Sequence, residues 1–339
     1  MTKLHHIALS AILLLGVVSC AKEDTQTPEQ PESPTETAYF KAGFGATTYA
    51  TPPPASADEK QLRSVAFFIQ TQSGDFLRFF SDEAQGSAIG FVSTTPDADG
   101  NITGATMKID NTHSGNATVT VIGNYVENGL TADLKAVTSP AHLSALIHTA
   151  SATGPSYPLV TIQQKTVNIQ PNASGAELFS LKRLAARIDV TLNLAITAYD
   201  EWNDPVTVTP QEAMAEGYFS FAEAYVLNPQ TASYLLPGGS TNSITQAVKH
   251  PAAFRNGMTH TFYTYEMAGG DTDKLQVIVV YNIREKLTDP FTQKFYHLTL
   301  ENSAGNSVVV RNSYYAYNDF IITLNIADEW DEGGMIIGG

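Results

Sequence analysis

The chain has a single cysteine, Cys20, in 339 residues. One thiol allows no intrachain disulfide and no thiolate metal cluster, so stability has to come from buried apolar surface. Charge is scarce and one-sided: 19 Lys and Arg stand against 34 Asp and Glu, a net −15. So few cations argue against nucleic acid as a partner and against flat adhesion to anionic lipid. Long hydrophobic runs are missing as well. The mostly apolar stretch from Ile7 to Val18 is too short for a spanning helix, which needs about 20 residues.

What is present begins with that stretch. Met1-Thr2-Lys3 supplies a basic start, Ile7 to Val18 the apolar segment, and Ser19 a small residue before Cys20, the pattern of a secretory signal over residues 1–19. Val17-Val18-Ser19-Cys20 resembles the lipobox of bacterial lipoproteins, in which the Cys carries fatty acyl chains such as palmitate and becomes the mature N-terminus. The expectation is a lipid-anchored protein at the cell surface, held in the outer membrane through Cys20. Removing the signal takes one Lys and no acid, which leaves 320 residues with a net charge near −16. Residues 20–37 read as a tether. Pro28, Pro31 and Pro34 alternate with Glu29, Glu32 and Glu36, favouring an extended, solvated chain.

From Ala38 on, the pattern is strand, turn, strand. Leu62–Ile69 is apolar on both faces, Phe76–Phe80 follows a Ser-Gly-Asp turn, and Ile102–Ile109, Val119–Ile122, Leu159–Ile162 and Val167–Ile169 continue the series. One helix stands out, with Ser139 as cap, Pro140 in the first turn and Leu143, Leu146 and Ile147 on one face. In Leu178–Ile196 the residues Ile188, Val190, Leu192, Leu194 and Ile196 alternate with Arg187, Asp189, Thr191, Asn193 and Ala195. Period two predicts one face on a core and the other, including Asp189, in water. Further strands are expected at Phe219–Leu227, Thr259–Met267, Leu275–Ile283, Phe295–Leu300, Val308–Val310 and Tyr314–Ile326. Many short strands and few helices predict an all-β chain of two tandem β-sandwiches, residues 38–183 and 184–339, with one or two short helices.

Chemistry-bearing motifs are weak. Asp97-Ala98-Asp99-Gly100-Asn101 opens like a calcium loop, but Ile102 and Lys108 stand where that loop needs Gly and Glu, which favours a hairpin turn. The histidines show no zinc spacing, no nucleophile elbow is complete, and Asp200-Glu201-Trp202-Asn203-Asp204 lacks an identifiable second carboxylate across a cleft. No enzyme, no metal and no cofactor is expected.

Four segments in order resemble the fimbrillins, the type V pilins of the Bacteroides group. They are Val119-Thr120-Val121-Ile122-Gly123-Asn124; Leu181-Lys182-Arg183-Leu184-Ala185-Ala186-Arg187-Ile188-Asp189-Val190; Phe262-Tyr263-Thr264-Tyr265-Glu266; and Val310-Arg311-Asn312-Ser313-Tyr314-Tyr315. The resemblance implies transthyretin-like sandwiches and assembly into fimbriae, with other fimbrial subunits as partners and a host or bacterial surface receptor or glycan as a further one. In that family a trypsin-like protease removes the first strand and a neighbour's strand fills the slot. Here the displaceable strand would be Ala38, Tyr39, Phe40, Lys41, Ala42, Gly43 and Phe44. The donor would be the end of the chain, Phe320, Ile322, Leu324 and Ile326, or the tail Met335, Ile336 and Ile337. Residues 45–57 hold no Arg or Lys, and Arg63 is expected inside the next strand, so arginine-directed cutting is not supported. The alternative is a monomeric glycan-binding surface lipoprotein that stacks sugar on Trp202, Tyr218 or Tyr225.

Overall fold

The structure is a computed structural model that describes residues 37–43, 58–83, 90–110, 113–151, 154–170, 176–200, 202–237, 247–249, 255–267, 274–301 and 307–329. Cys20, Phe44, Met335, Ile336 and Ile337 lie outside the described residues. The first half of the chain forms β1 (Thr37–Gly43), β2 (Val65–Thr71), β3 (Phe76–Phe80), β4 (Gly90–Pro96), β5 (Ile102–Asp110) and β6 (Gly115–Gly123). Two short helices follow, α1 (Thr131–Ala136) and α2 (Pro140–Ala145), then β7 (Ile147–Thr149), β8 (Thr161–Ile169), β9 (Ala176–Ser180) and β10 (Lys182–Arg183). Two sheets face each other, in the orders β4-β5-β1-β9 and β10-β8-β6-β2-β3. Phe40, Val65, Phe67, Ile69, Met107, Val119, Val121 and Phe179 fill the space between them.

The second half forms β11 (Ala186–Tyr199), β12 (Pro205–Val208), α3 (Pro210–Ala215), β13 (Phe219–Leu227), β14 (Ala232–Tyr234), β15 (Ala247–Lys249), β16 (Thr259–Thr264), β17 (Gln276–Ile283), β18 (Thr292–Thr299) and β19 (Tyr314–Glu329). One sheet is built on β11, with β16 and β12 antiparallel to its two ends and β19 parallel to it; the other runs β15-β13-β17-β18. Ile188, Val190, Leu192, Leu194 and Ile196 all point into this second core, as their alternation requires. The chain is all-β, two tandem β-sandwiches with three short helices among the described residues.

Local departures have local causes. Leu159–Ile162 and Val167–Ile169 belong to a run that includes the single strand β8, whose polar middle, Gln163 to Thr166, hides the continuity. Around Val308–Val310 only a bridge between Val309 and Met267 forms. The helix at Pro140 is present, the Ser139 side chain accepting the N–H of His142, but it ends at Ala145, so Leu146 caps it and Ile147, expected on its face, lies in β7 and is 42 % exposed. Helix α3 is closed by a capping box between Thr209 and Glu212, a signal readable in Thr209-Pro210-Gln211-Glu212. The Asp97 turn joins β4 to β5, its Oδ1 accepting the N–H of Asp99 and Asn101 at 2.9 and 2.8 Å, the hairpin outcome expected above.

A third apolar layer joins the sandwiches. β2 is buried on both faces: Val65, Phe67 and Ile69 point inward, while Ala66 and Phe68 point out. That outer face packs with Leu134, Leu143 and, from the second half, Leu235, Leu236 and Tyr265. β7 and β14 complete the seam as a two-stranded antiparallel sheet, one strand from each half.

Candidate functional site

Strand β1 occupies the middle of its sheet. It pairs antiparallel with β5, from Thr37 with Asp110 to Ala42 with Ala105, and parallel with β9, from Tyr39 with Ala176 to Gly43 with Ser180. The strand expected to be displaceable is thus paired along both of its sides. Phe40 is 2 % exposed and Ala42 is fully buried, and the Phe40 ring meets Phe179 edge-on at 6.0 Å. Burying Phe40 contributes about 1.5–3 kcal/mol. Withdrawing β1 would leave two facing strand edges with unpaired backbone groups and an apolar slot between them.

At the other end, Phe320, Ile322, Leu324 and Ile326 pack into the core of their own sandwich, and Ile321, between them, is 65 % exposed. Their period of two is that of a strand with one face on a core. Because they already complete the second sandwich, donation by β19 would require opening it. Among the described strands β19 pairs only with β11.

The motif residues gather at the junctions. Asn124 has a left-handed φ of 62° and is buried; its Oδ1 accepts the Arg63 N–H at 2.8 Å, while its Nδ2 donates to Gln61 O and Leu159 O at 2.8 and 2.7 Å. Asn312, with φ 57°, repeats the device: its Oδ1 accepts the Arg183 N–H at 2.9 Å and its own N–H donates to Ala185 O at 3.2 Å. Asn tolerates this backbone region better than most residues, which explains the choice at both places. Gly123, just before Asn124, is required by close packing, since a Cβ there would stand 2.6 Å from Leu62.

One arginine ties the halves together. Arg187 binds Asp189 through Nε at 2.9 Å and Nη2 at 2.8 Å, and reaches Glu59, in the turn Asp58–Lys60 of the first half, at 3.2 Å. Asp189 also accepts the Thr261 hydroxyl at 2.7 Å and is buried. The expectation that Asp189 faces water is therefore corrected: it lies opposite the core but under this ion cluster, which a period-two pattern cannot anticipate. Asp189 holds the Arg187 guanidinium above its ordinary pKa. Arg311 works within the second half, binding Glu266 with two nitrogens and donating to Leu235 O at 2.9 Å and Tyr234 O at 3.2 Å, which braces the β14 side of the seam. The hydroxyls of Tyr157 and Tyr263 meet across the seam, and burial is the first cause that pushes the Tyr263 hydroxyl up.

Arg63 precedes β2 rather than lying inside it, and its side chain is exposed. Its neighbours Leu62 and Ser64 are buried and its N–H is held by Asn124, so the peptide around it is inaccessible for that reason. Of the three aromatics considered for sugar stacking, Tyr218 is buried and unavailable, Tyr225 is half-buried, and Trp202 is 76 % exposed. Trp202 sits in a turn shaped by Asp200, whose Oδ1 accepts the N–H of Trp202 and Asp204 at 2.9 and 2.8 Å. Among the described residues no group of metal-ligating side chains assembles and no helix is long and apolar enough to cross a membrane.

No family model and no curated protein matches the chain. Solved structures do. A candidate cell adhesion protein from Bacteroides eggerthii DSM 20697 aligns with a TM-score of 0.50 at 14 % identity, over 86 % of this chain and 87 % of that one. A candidate cell adhesion protein from Bacteroides uniformis ATCC 8492 gives 0.42 at 10 % identity, over 85 % and 93 %. A candidate polysaccharide-binding protein from Bacteroides thetaiotaomicron VPI-5482 gives 0.41 at 12 % identity, over 88 % and 94 %. Identities this low speak for fold alone, and of these three the first has the TM-score to carry the comparison: the chain shares its overall fold with the Bacteroides eggerthii protein across most of both chains.

Proposed function

We propose that this chain is a non-catalytic structural subunit of adhesive surface fimbriae, anchored through lipid on Cys20 and joined to its neighbours by strand exchange at the position of β1. The observation that carries the reading is the place of β1: the first strand of the described chain lies between β5 and β9, where its loss opens a slot that another strand satisfies. The fimbrillin-like motifs and the fold shared with a candidate cell adhesion protein support it. With no Arg or Lys in residues 45–57 for a trypsin-like cut, β1 leaves the slot by displacement rather than removal, which suits an uncleaved anchor, tip or accessory subunit.

Deleting residues 37–44 tests this. Mixed with the full chain, the variant is expected to form heat-stable oligomers, which a synthetic peptide of residues 37–44 suppresses by refilling the slot. Removing residues 333–339 from the full chain is expected to abolish them, identifying the tail as donor. A variant that the peptide restores to a folded monomer but that never oligomerises overturns the strand-exchange reading.

The anchor is tested separately. Cys20→Ala is expected to move the protein from the detergent phase to the soluble fraction. Since one acyl chain gives only marginal binding, multiple chains are implied. Unchanged membrane partitioning of Cys20→Ala contradicts the lipid anchor.

A further inference from the structure

We infer that the outer face of the first sandwich carries a binding site for a neutral saccharide, on the strands β2, β3, β6 and β8 beside α2. This site is independent of fimbrial assembly and lies away from Trp202. The outer face of that sheet changes character along its length. At one end Ala66, Ile122 and Ile162 disappear under the seam layer. At the other the same face carries amides and hydroxyls, in the cross-strand pairs Asn116 with Asn168, Thr118 with Thr166 and Thr120, itself buried, with exposed Gln164.

A notch of about 20 Å³ opens where the two characters meet. Its floor is apolar, formed by Phe68, Leu143 and Leu236, all buried. Its walls are Gln70, Thr118, Thr120 and Gln164, and Phe76 stands at its side, stacked on Phe68 at 6.1 Å and 29°. The volume suits one water-sized group, such as a single hydroxyl, with the rest of a ligand lying across the open face. Gln164 Nε2 donates to Thr120 Oγ1 at 2.9 Å. That bond uses one of two amide N–H groups and leaves the other, with the carbonyl oxygen, to face a ligand.

The chemistry selects the ligand class. Every residue lining the notch is uncharged, in a chain with 34 acidic and 19 basic residues. An anionic ligand finds no cation in the notch and is repelled by the net field of the protein, and a cation finds no carboxylate there. An extended peptide binds through strand edges, whereas this is the middle of a sheet face. A pyranose offers what remains: neighbouring hydroxyls that donate and accept to amides and threonines, and a C–H face for the Phe76 ring.

Saturation-transfer NMR on the soluble Cys20→Ala protein tests the site with cellohexaose, maltoheptaose and a mannan oligosaccharide, and with oligogalacturonate as the anionic counterpart. Transfer from at least one neutral oligosaccharide at about 10 mM, enough to fill a millimolar site, and none from oligogalacturonate, is expected. Gln164→Ala, at an exposed position, and Thr118→Ala should each weaken binding at least tenfold, about 1.4 kcal/mol, with melting temperatures unchanged. Trp202→Ala should leave binding as it is. No transfer from any of the three neutral probes overturns the inference, as does binding lost only in Trp202→Ala or preference for the anionic probe.

Discussion

Val190→Asp is expected to abolish the folded second sandwich, while Asp189→Ala, one residue away on the opposite face, costs about 3 kcal/mol. Val190 is fully buried among apolar neighbours. A carboxyl group there forfeits about 1.5–3 kcal/mol of side-chain burial and adds roughly 2–7 kcal/mol for an unpaired polar group. The sum is comparable with the whole stability of a typical domain, about 5–15 kcal/mol. Asp189→Ala acts differently. It removes both hydrogen bonds from Arg187 and the acceptor of Thr261, leaving a half-buried guanidinium with Glu59 as its remaining carboxylate. Asp189→Asn keeps the shape and isolates the charge. Urea unfolding followed by circular dichroism measures all three. A neutral Asp189→Ala would mean the ion cluster contributes nothing to the seam, and a well-folded Val190→Asp would refute the strand register.

Acidification is expected to loosen the junction through His148. The ring is 5 % exposed, on the strand β7 that pairs with β14 of the other half, and packs edge-on against Tyr265 at 5.8 Å. Burial lowers its pKa from 6.5 to about 4. Above pH 6.5 both folded and unfolded states keep the imidazole neutral and His148 imposes no pH dependence. As pH falls from 6.5 to 4 the unfolded state takes up a proton that the folded state refuses. Stability therefore drops across that window, by about 3 kcal/mol once both states are protonated. His148→Phe keeps an aromatic ring beside Tyr265 and removes the titration. The fall in melting temperature between pH 7 and pH 4.5 should be smaller in His148→Phe than in the parent by the amount this group contributes. Equal falls in the two proteins would show that His148 is protonated as readily when folded as when unfolded.

Much of the architecture was legible in the order of residues. Alternation in 186–196 names the core face of β11 side chain by side chain, and Ser139-Pro140 marks the start of α2. These signals are local, because strand pleat and helix caps act over two to four residues. The Arg and Asn motifs were visible too, but not their purpose. Arg63 meets Asn124 across 61 positions and Arg311 meets Glu266 across 45, and no local period encodes either distance.

Composition and pattern alone determined the all-β class, the sandwich cores and the acidic character of the chain. Tertiary structure alone decided that β1 is a central strand, that Asp189 is buried beneath Arg187, and that the outer face of the first sandwich is half seam and half open polar surface. The division has a physical reason. Which face of a strand is apolar depends on its own side chains, whereas what covers the other face depends on elements tens or hundreds of residues away in the chain.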